Sequence, residues 1–97
     1  MEEQNKQKPE GVSIKINDEV LKGEYSNTMQ VLHTKEEFVM DFMNMFPPHG
    51  IVSARIITSP GHMKRIVRAL QENLSKYEAQ FGSIEESKAP PVQFREE

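Results

Sequence analysis

The chain has 97 residues, a formal net charge of −3 and no cysteine. This length allows one domain, and the missing cysteines exclude a disulfide framework, a thiolate zinc site and a cysteine nucleophile. The small net charge gives no general attraction to nucleic acid or to anionic membranes. The amino terminus is polar and no apolar run approaches the ~20 residues of a membrane span, so we expect a cytoplasmic protein without a secretory signal.

The two ends of the chain carry few apolar side chains. Residues 1–10 and the acidic stretch 85–97 have too little apolar surface to offset the entropy lost on ordering, so both are predicted to be disordered tails. A single domain over residues 11–84 remains. Its size is close to that at which one core is marginal and association contributes to stability.

Two stretches near the amino terminus have the alternation of strands. Residues 12–17 place Val12, Ile14 and Ile16 on one face and polar side chains on the other, which is typical of a half-buried strand. Residues 24–34 alternate again and are rich in Thr, Val and Tyr, which predicts a second strand. Asn27 interrupts its face, and it either bonds to a neighbouring backbone or contacts a ligand.

Residues 35–46 fit either a helix or a strand. Thr34 followed by Glu37 is a capping-box pattern, which would begin a helix. The alternation of the same residues instead places large apolar side chains on both faces of a strand. We interpret them as the third strand, because T-K-E-E then serves as a hairpin loop and no long connection is needed.

A fourth strand and a helix complete the domain. Residues 51–58 are dense in β-branched side chains, Ser59 is a favoured N-cap, and Pro60 suits the first helical position. Apolar side chains then recur with the period of a helix until Gly82, at Met63, Ile66, Val67, Leu70, Leu74, Tyr77 and Phe81. The sequence therefore predicts an α+β fold: a four-stranded antiparallel sheet followed by one long C-terminal helix packed on one face.

The third predicted strand is apolar on both faces, and one helix can cover only one of them. Val39, Met43 and Met45 on the uncovered face are the predicted partner-binding residues. Burying them between two copies predicts a homo-oligomer, either a dimer or a dimer of dimers. Flexible methionine side chains also adapt to varied surfaces, so other polypeptides are further candidate partners.

No set of residues predicts catalysis or metal binding. His33, His49 and His62 fall on a strand, in a loop and at the helix start, without the spacing of a metal site. Asp41 interrupts an apolar strand, either as a general base or as the ion-pair partner of Arg55, and the pair is favoured. We therefore predict no enzyme activity, no metal and no cofactor.

Positive charge concentrates in the first half of the helix, at Lys64, Arg65 and Arg68. The helix dipole disfavours cations there, so these residues form either a solvated face or a contact for an anion or acidic partner. The net charge and the absence of interleaved aromatic side chains argue against nucleic acid.

Five short motifs resemble a known family: G-E-Y-S-N at 23–27, E-F-V-M-D-F at 37–42, R-I-I-T-S-P at 55–60, Lys64, and Y-E-A-Q-F-G-S-I at 77–84. They are similar to a domain-of-unknown-function family of short bacterial proteins, over roughly residues 12–84. The resemblance implies no activity, because that family has none established. The order of sheet and helix is also similar in topology to the SecB export chaperone, a tetramer, although no SecB sequence motif is present.

Together these features predict a small self-associating protein-binding or chaperone-like module without catalytic activity. The alternative is binding of nucleic acid or an acidic partner through the basic N-terminal half of the helix.

Overall fold

The computed structural model describes residues 11–88 of the chain. In chain order the elements are α1 (Asp18–Leu21), β1 (Thr28–His33), β2 (Phe38–Phe46), β3 (His49–Thr58) and α2 (Pro60–Phe81). The strands form one antiparallel sheet in the order β1-β2-β3. The α+β class is confirmed, with antiparallel strands followed by a C-terminal helix. Of the tails predicted over residues 1–10 and 85–97, residues 1–10 and 89–97 lie outside the described residues.

The prediction of a first strand over residues 12–17, which would have given the sheet four strands, is wrong, because the described chain pairs these residues with no other strand. A single helical turn follows instead, in which the Leu21 N–H donates to the Asn17 carbonyl at 2.9 Å. Gly23 then takes a φ of 81°, which favours glycine, before the chain enters β1. Alternation shows which side chains share a face, but a strand also needs a neighbouring edge to bond with.

The turn between β1 and β2 confirms the strand interpretation of residues 38–46. The Thr34 hydroxyl accepts hydrogen bonds from the backbone N–H groups of Glu36 and Glu37, at 3.1 and 3.3 Å. The Thr34 N–H also donates to the Glu37 carbonyl at 2.9 Å. The side chain that would have capped a helix therefore closes a hairpin turn.

The hairpin between β2 and β3 turns at Pro47-Pro48, and β3 begins two residues earlier than predicted. His49 and Gly50 belong to the strand because they pair with Phe46 and Met45. Further along, Phe42 pairs with Ala54 whereas Met43 pairs with Val52. Ser53 is therefore an extra residue in β3, a β-bulge that increases the local twist.

Helix α2 begins and ends where the sequence predicts. The Ser59 hydroxyl accepts a hydrogen bond from the His62 N–H at 3.2 Å, and Gly82 follows the last turn with a φ of 98°. None of the helices in the described part of the chain is long and apolar enough to cross a membrane.

The expectation that α2 packs on one face of the sheet is wrong for the single chain. Leu70, at the middle of the apolar stripe, is 65% exposed, and the stripe stays exposed from Val67 to Phe81. Within residues 11–88 the buried side chains are those of Met40, Asp41 and Met43. The helical period shows that the stripe needs a cover, but it does not say which chain supplies the cover.

Candidate functional site

The register of the sheet defines two apolar faces, because paired residues on neighbouring strands point to the same side. The face that we call the Met40 face carries the even-numbered residues of β2 and their partners, including Met29, Val31 and Ile56. The opposite face, the Met43 face, carries the odd-numbered residues of β2 with Leu32, Val52 and Ile57. Both faces carry exposed large apolar side chains in the single chain.

The predicted partner-binding residues Val39, Met43 and Met45 lie together on the Met43 face. Val39 and Met45 are half-buried, whereas Met43 is 2% exposed within its own chain. The apolar surface that another molecule can reach on this face therefore comes mainly from the flanking strands, at Leu32, Val52 and Ile57. Sequence reasoning concentrated on β2 and missed these neighbours, although each was visible as an apolar residue of an alternating strand.

Asp41 and Arg55 form an ion pair across β2 and β3 on the Met43 face, as the sequence favoured. The Arg55 Nε donates to Asp41 Oδ1 at 2.7 Å and Nη2 donates to Oδ2 at 2.8 Å. Asp41 is 5% exposed, so these bonds satisfy a carboxylate that water barely reaches. The hydrogen bonds from Arg55 hold the pKa of Asp41 below its ordinary value, and the same contact raises the pKa of Arg55. A carboxylate held ionised in this way is a structural anion rather than a poised proton acceptor.

Asn27 uses its side-chain amide in the manner of a backbone peptide group. Its Oδ1 accepts from the Met45 N–H at 2.9 Å and its Nδ2 donates to the Met45 carbonyl at 3.0 Å. The Asn27 N–H donates to the Met43 carbonyl at 3.0 Å. Of the two roles left open by the sequence, bonding to a neighbouring backbone is confirmed.

Replacing Asn27 by Ala should lower the free energy of unfolding by about 1 kcal/mol, since both bonds to Met45 are lost from a largely exposed site. Asn73 gives a matched control, because its Nδ2 donates only to the Ala69 carbonyl of its own helix. Asn73→Ala should instead raise the free energy of unfolding by a few tenths of a kcal/mol, because alanine has the higher helix propensity. Urea unfolding curves of the two variants measure the difference, and equal midpoints would contradict the proposed role of Asn27.

Asn44 is a polar position that sequence reasoning passed over. Its Nδ2 donates to the Tyr25 carbonyl at 2.8 Å and to the Ser53 hydroxyl at 3.2 Å. These bonds tie both the entry to β1 and the bulge of β3 to the central strand. An amide between Phe42 and Phe46 was the available signal, but the bulge that brings Ser53 into reach has no sequence pattern of its own.

A small cavity of about 150 Å³ lies beside Asn44 at the β2–β3 hairpin. Phe46, His49, Gly50 and Ile51 complete its lining, so His49 is the titratable group that borders it. No second acid or base lies in this lining to act with the histidine.

The three histidines do not converge. His33 lies at the end of β1 with its ring 5.5 Å from that of Phe38, His49 begins β3, and His62 lies in the first turn of α2. Among the described residues, no group of three or more His, Asp or Glu side chains has the geometry to hold a metal ion.

The predicted anion-contact residues Lys64, Arg65 and Arg68 are all exposed on α2. At about 100° per residue, Arg65 and Arg68 lie on the side of the helix opposite the apolar stripe. Within residues 11–88, Asp41 and Arg55 form the one ion pair with an N–O distance below 4.0 Å. No described carboxylate therefore pairs with Lys64, Arg65 or Arg68. Arg68 and Glu72, one turn apart on α2, do not form an ion pair either.

Comparison with known proteins identifies a family but no function. A family model described as "Protein of unknown function (DUF3467)" matches residues 1–86. No curated protein and no solved structure matches the chain. The resemblance to a domain-of-unknown-function family is thereby confirmed.

Proposed function

The chain belongs to the DUF3467 family of proteins of unknown function, and we propose that it is a self-associating protein-binding module, chaperone-like and without catalytic activity. The observation that carries this proposal is the near absence of burial. Among residues 11–88 just Met40, Asp41 and Met43 are buried, while both sheet faces and the helix stripe expose large apolar side chains.

Exposed apolar surface on this scale needs a second molecule. Monomeric soluble proteins rarely leave contiguous apolar patches larger than a few hundred Å² in water. Burial between copies recovers about 25 cal/mol per Å², and a standard interface of about 800 Å² per partner is enough for stable association. A two-fold arrangement places the same surface of each copy against the other, which gives a dimer or a dimer of dimers.

The two sheet faces have different roles in this proposal: one contacts a second copy and the other contacts other polypeptides. The Met43 face holds the predicted residues Val39, Met43 and Met45, and with the stripe of α2 it forms the surface between copies. The Met40 face is then the surface for other polypeptides, with exposed Met29, Val31 and Ile51. Methionine and branched aliphatic side chains without a charged partner suit apolar segments of varied sequence. This division gives the protein a SecB-like mode of action in a cytoplasmic, bacterial setting.

Ile56 and Ile57 allow a matched test, because they are neighbours on β3, point to opposite faces and are 47% and 55% exposed. Ile56→Lys on the Met40 face should abolish binding of a reduced and alkylated polypeptide and leave the oligomer mass unchanged. Ile57→Lys on the Met43 face should lower the oligomer mass. Fluorescence anisotropy reports the first effect and light scattering the second. Equal behaviour of the two variants would contradict the division of the faces.

A second candidate function rests on the exposed cations of α2. Lys64, Arg65 and Arg68 are exposed, and they remain accessible when the apolar stripe is covered, so an acidic partner or nucleic acid could bind there. Such binding would weaken steeply between about 50 mM and about 200 mM salt and would be lost in Arg65→Glu/Arg68→Glu. Polypeptide binding on the Met40 face should persist over the same salt range. A salt-sensitive complex with single-stranded DNA would favour this second function.

A further inference from the structure

The segment 12–16 has the pattern of a strand, and no strand within residues 11–88 pairs with it. Val12 and Ile14 are 82% and 88% exposed, and Ile16 is exposed as well. Ser13 and Lys15 alternate with them, so one side of the segment is apolar and the other polar. Such a segment leaves both its apolar side and its backbone donors and acceptors to water.

Within the described part of the chain the sheet ends in two free edges, because β1 and β3 each have one neighbour there. An unprotected edge strand is a template for a further strand from another chain. Neither edge strand contains a proline within its bounds, and β1 carries no Lys, Arg, Asp or Glu. Both edges therefore offer unpaired backbone groups to an added strand.

The pattern of side chains selects β1 over β3. On the Met40 face β1 presents Met29 and Val31, and on the Met43 face it presents Thr28 and Gln30 before Leu32. A strand that is apolar on one side and polar on the other matches this arrangement. Strand β3 is apolar on both faces and carries Arg55, so Lys15 would lie against apolar side chains or a like charge there.

We infer that residues 12–16 of one copy add as a strand to the free edge of β1 in a second copy. Val12, Ile14 and Ile16 then extend the Met40 face beside Met29 and Val31, while Ser13 and Lys15 lie beside Thr28 and Gln30. This is β-strand addition between identical chains, with backbone hydrogen bonds for affinity and side-chain alternation for register. The inference rests on the self-association proposed above and specifies one of its contacts.

The route of the chain favours a second copy over the segment's own sheet. Asn27 continues the line of β1 along β2, since its N–H donates to the Met43 carbonyl and its amide bonds to Met45. The Ser26 hydroxyl also donates to the Met43 carbonyl, at 3.1 Å. Between this anchor and the segment lie Gly23 and the turn of α1, and they do not return the chain along β1. In a two-fold dimer each segment can reach the partner's edge, and the exchange leaves no β1 edge unpaired.

The absence of cysteine makes the test direct, because a single introduced cysteine takes a nitroxide at one known position. Lys15→Cys chains carrying the nitroxide are mixed with ¹⁵N-labelled wild-type chains and left to exchange subunits. The inference expects loss of amide peak intensity at residues 28–33 of the ¹⁵N chains, with β3 amides less affected. Adding Ile14→Asp to the nitroxide chain should restore the peaks. Ser13→Cys provides a second label position if Lys15→Cys does not fold.

Each other outcome overturns the inference in a distinguishable way. One such outcome is a loss of β1 amide peak intensity only when the nitroxide and the ¹⁵N label are on the same chain. That result would show that the segment pairs with the sheet of its own chain. Loss of amide peak intensity at β3 rather than at β1 would show that the segment adds to the other edge. Unchanged intensities in a sample of oligomeric mass would show that the copies associate without strand addition. A monomer mass in light scattering would contradict the proposed self-association as well as the strand addition.

Discussion

If the stripe of α2 lies in the proposed interface between copies, replacing Leu70 and Leu74 together by Asp should leave single chains. Both side chains are exposed in the isolated chain, so the substitution removes little from the fold of one copy. Burial of a leucine contributes about 1.5–3 kcal/mol, and a two-fold interface buries each residue twice. The loss is therefore roughly 6–12 kcal/mol, comparable with the ~8 kcal/mol of a micromolar complex. Light scattering of the variant should give the mass of one chain.

The matched control moves the same two carboxylates about 100° round the helix. Gln71→Asp/Ser75→Asp has the same spacing and the same new residues, and both positions are exposed outside the apolar stripe. The control should keep the oligomeric mass of the wild type. Dissociation of both variants would mean that added charge, rather than loss of the stripe, separates the copies, and an assembled Leu70→Asp/Leu74→Asp variant would contradict the role of the stripe.

Replacing Arg55 by Ala should destabilise the protein strongly near neutral pH. Asp41 would lose both donors from the guanidinium, which leaves its carboxylate without the charge that compensates it. Asp41→Asn should be milder, because the Arg55 side chain is 60% exposed and can be solvated when its partner is neutral. Melting temperatures of the two variants test this order, and an Arg55→Ala variant as stable as the wild type would contradict it.

The same pair predicts how stability depends on pH. The pKa of Asp41 in the folded protein is lowered by its hydrogen bonds to Arg55. The pair therefore contributes its full stability above the unfolded carboxyl pKa of about 3.9 and loses it as the pH falls through the lower folded value. In Arg55→Ala the buried carboxyl favours its protonated form, so the gap in melting temperature from the wild type should narrow on acidification. A constant gap would show that Arg55 stabilises through packing alone.

Elements with local chemical signals were predictable from the sequence. Ser59 and Pro60 fixed the start of α2, and the period of its apolar residues ran to Phe81, as the structure shows. Thr34 was ambiguous because its hydroxyl can close a hairpin turn as well as cap a helix. The short T-K-E-E connection favoured the strand, correctly, and Asp41 and Arg55 were expected to pair because they were placed in strands of one sheet.

Features that depend on what lies beside an element could not be read from the sequence. Residues 12–17 have a strand pattern, but a strand must also pair with an edge, and in the described chain they pair with neither free edge of the sheet. The stripe of α2 needed a cover, and the shortness of the chain suggested the sheet as that cover, whereas Leu70 and its neighbours stay exposed. Asn44 and Ser53 meet only because of the bulge in β3, which shifts the register by one residue. In the first two cases the sequence pattern shows a need for a partner without identifying its chain.

The central claim is that a second copy supplies the missing cover. Light scattering on the full chain at about 10 μM tests this association most directly, because a complex with ~8 kcal/mol of association free energy is largely formed at that concentration. The expected mass is that of two or four chains of 11.2 kDa. A mass of one chain, unchanged as the concentration is raised tenfold, would contradict it.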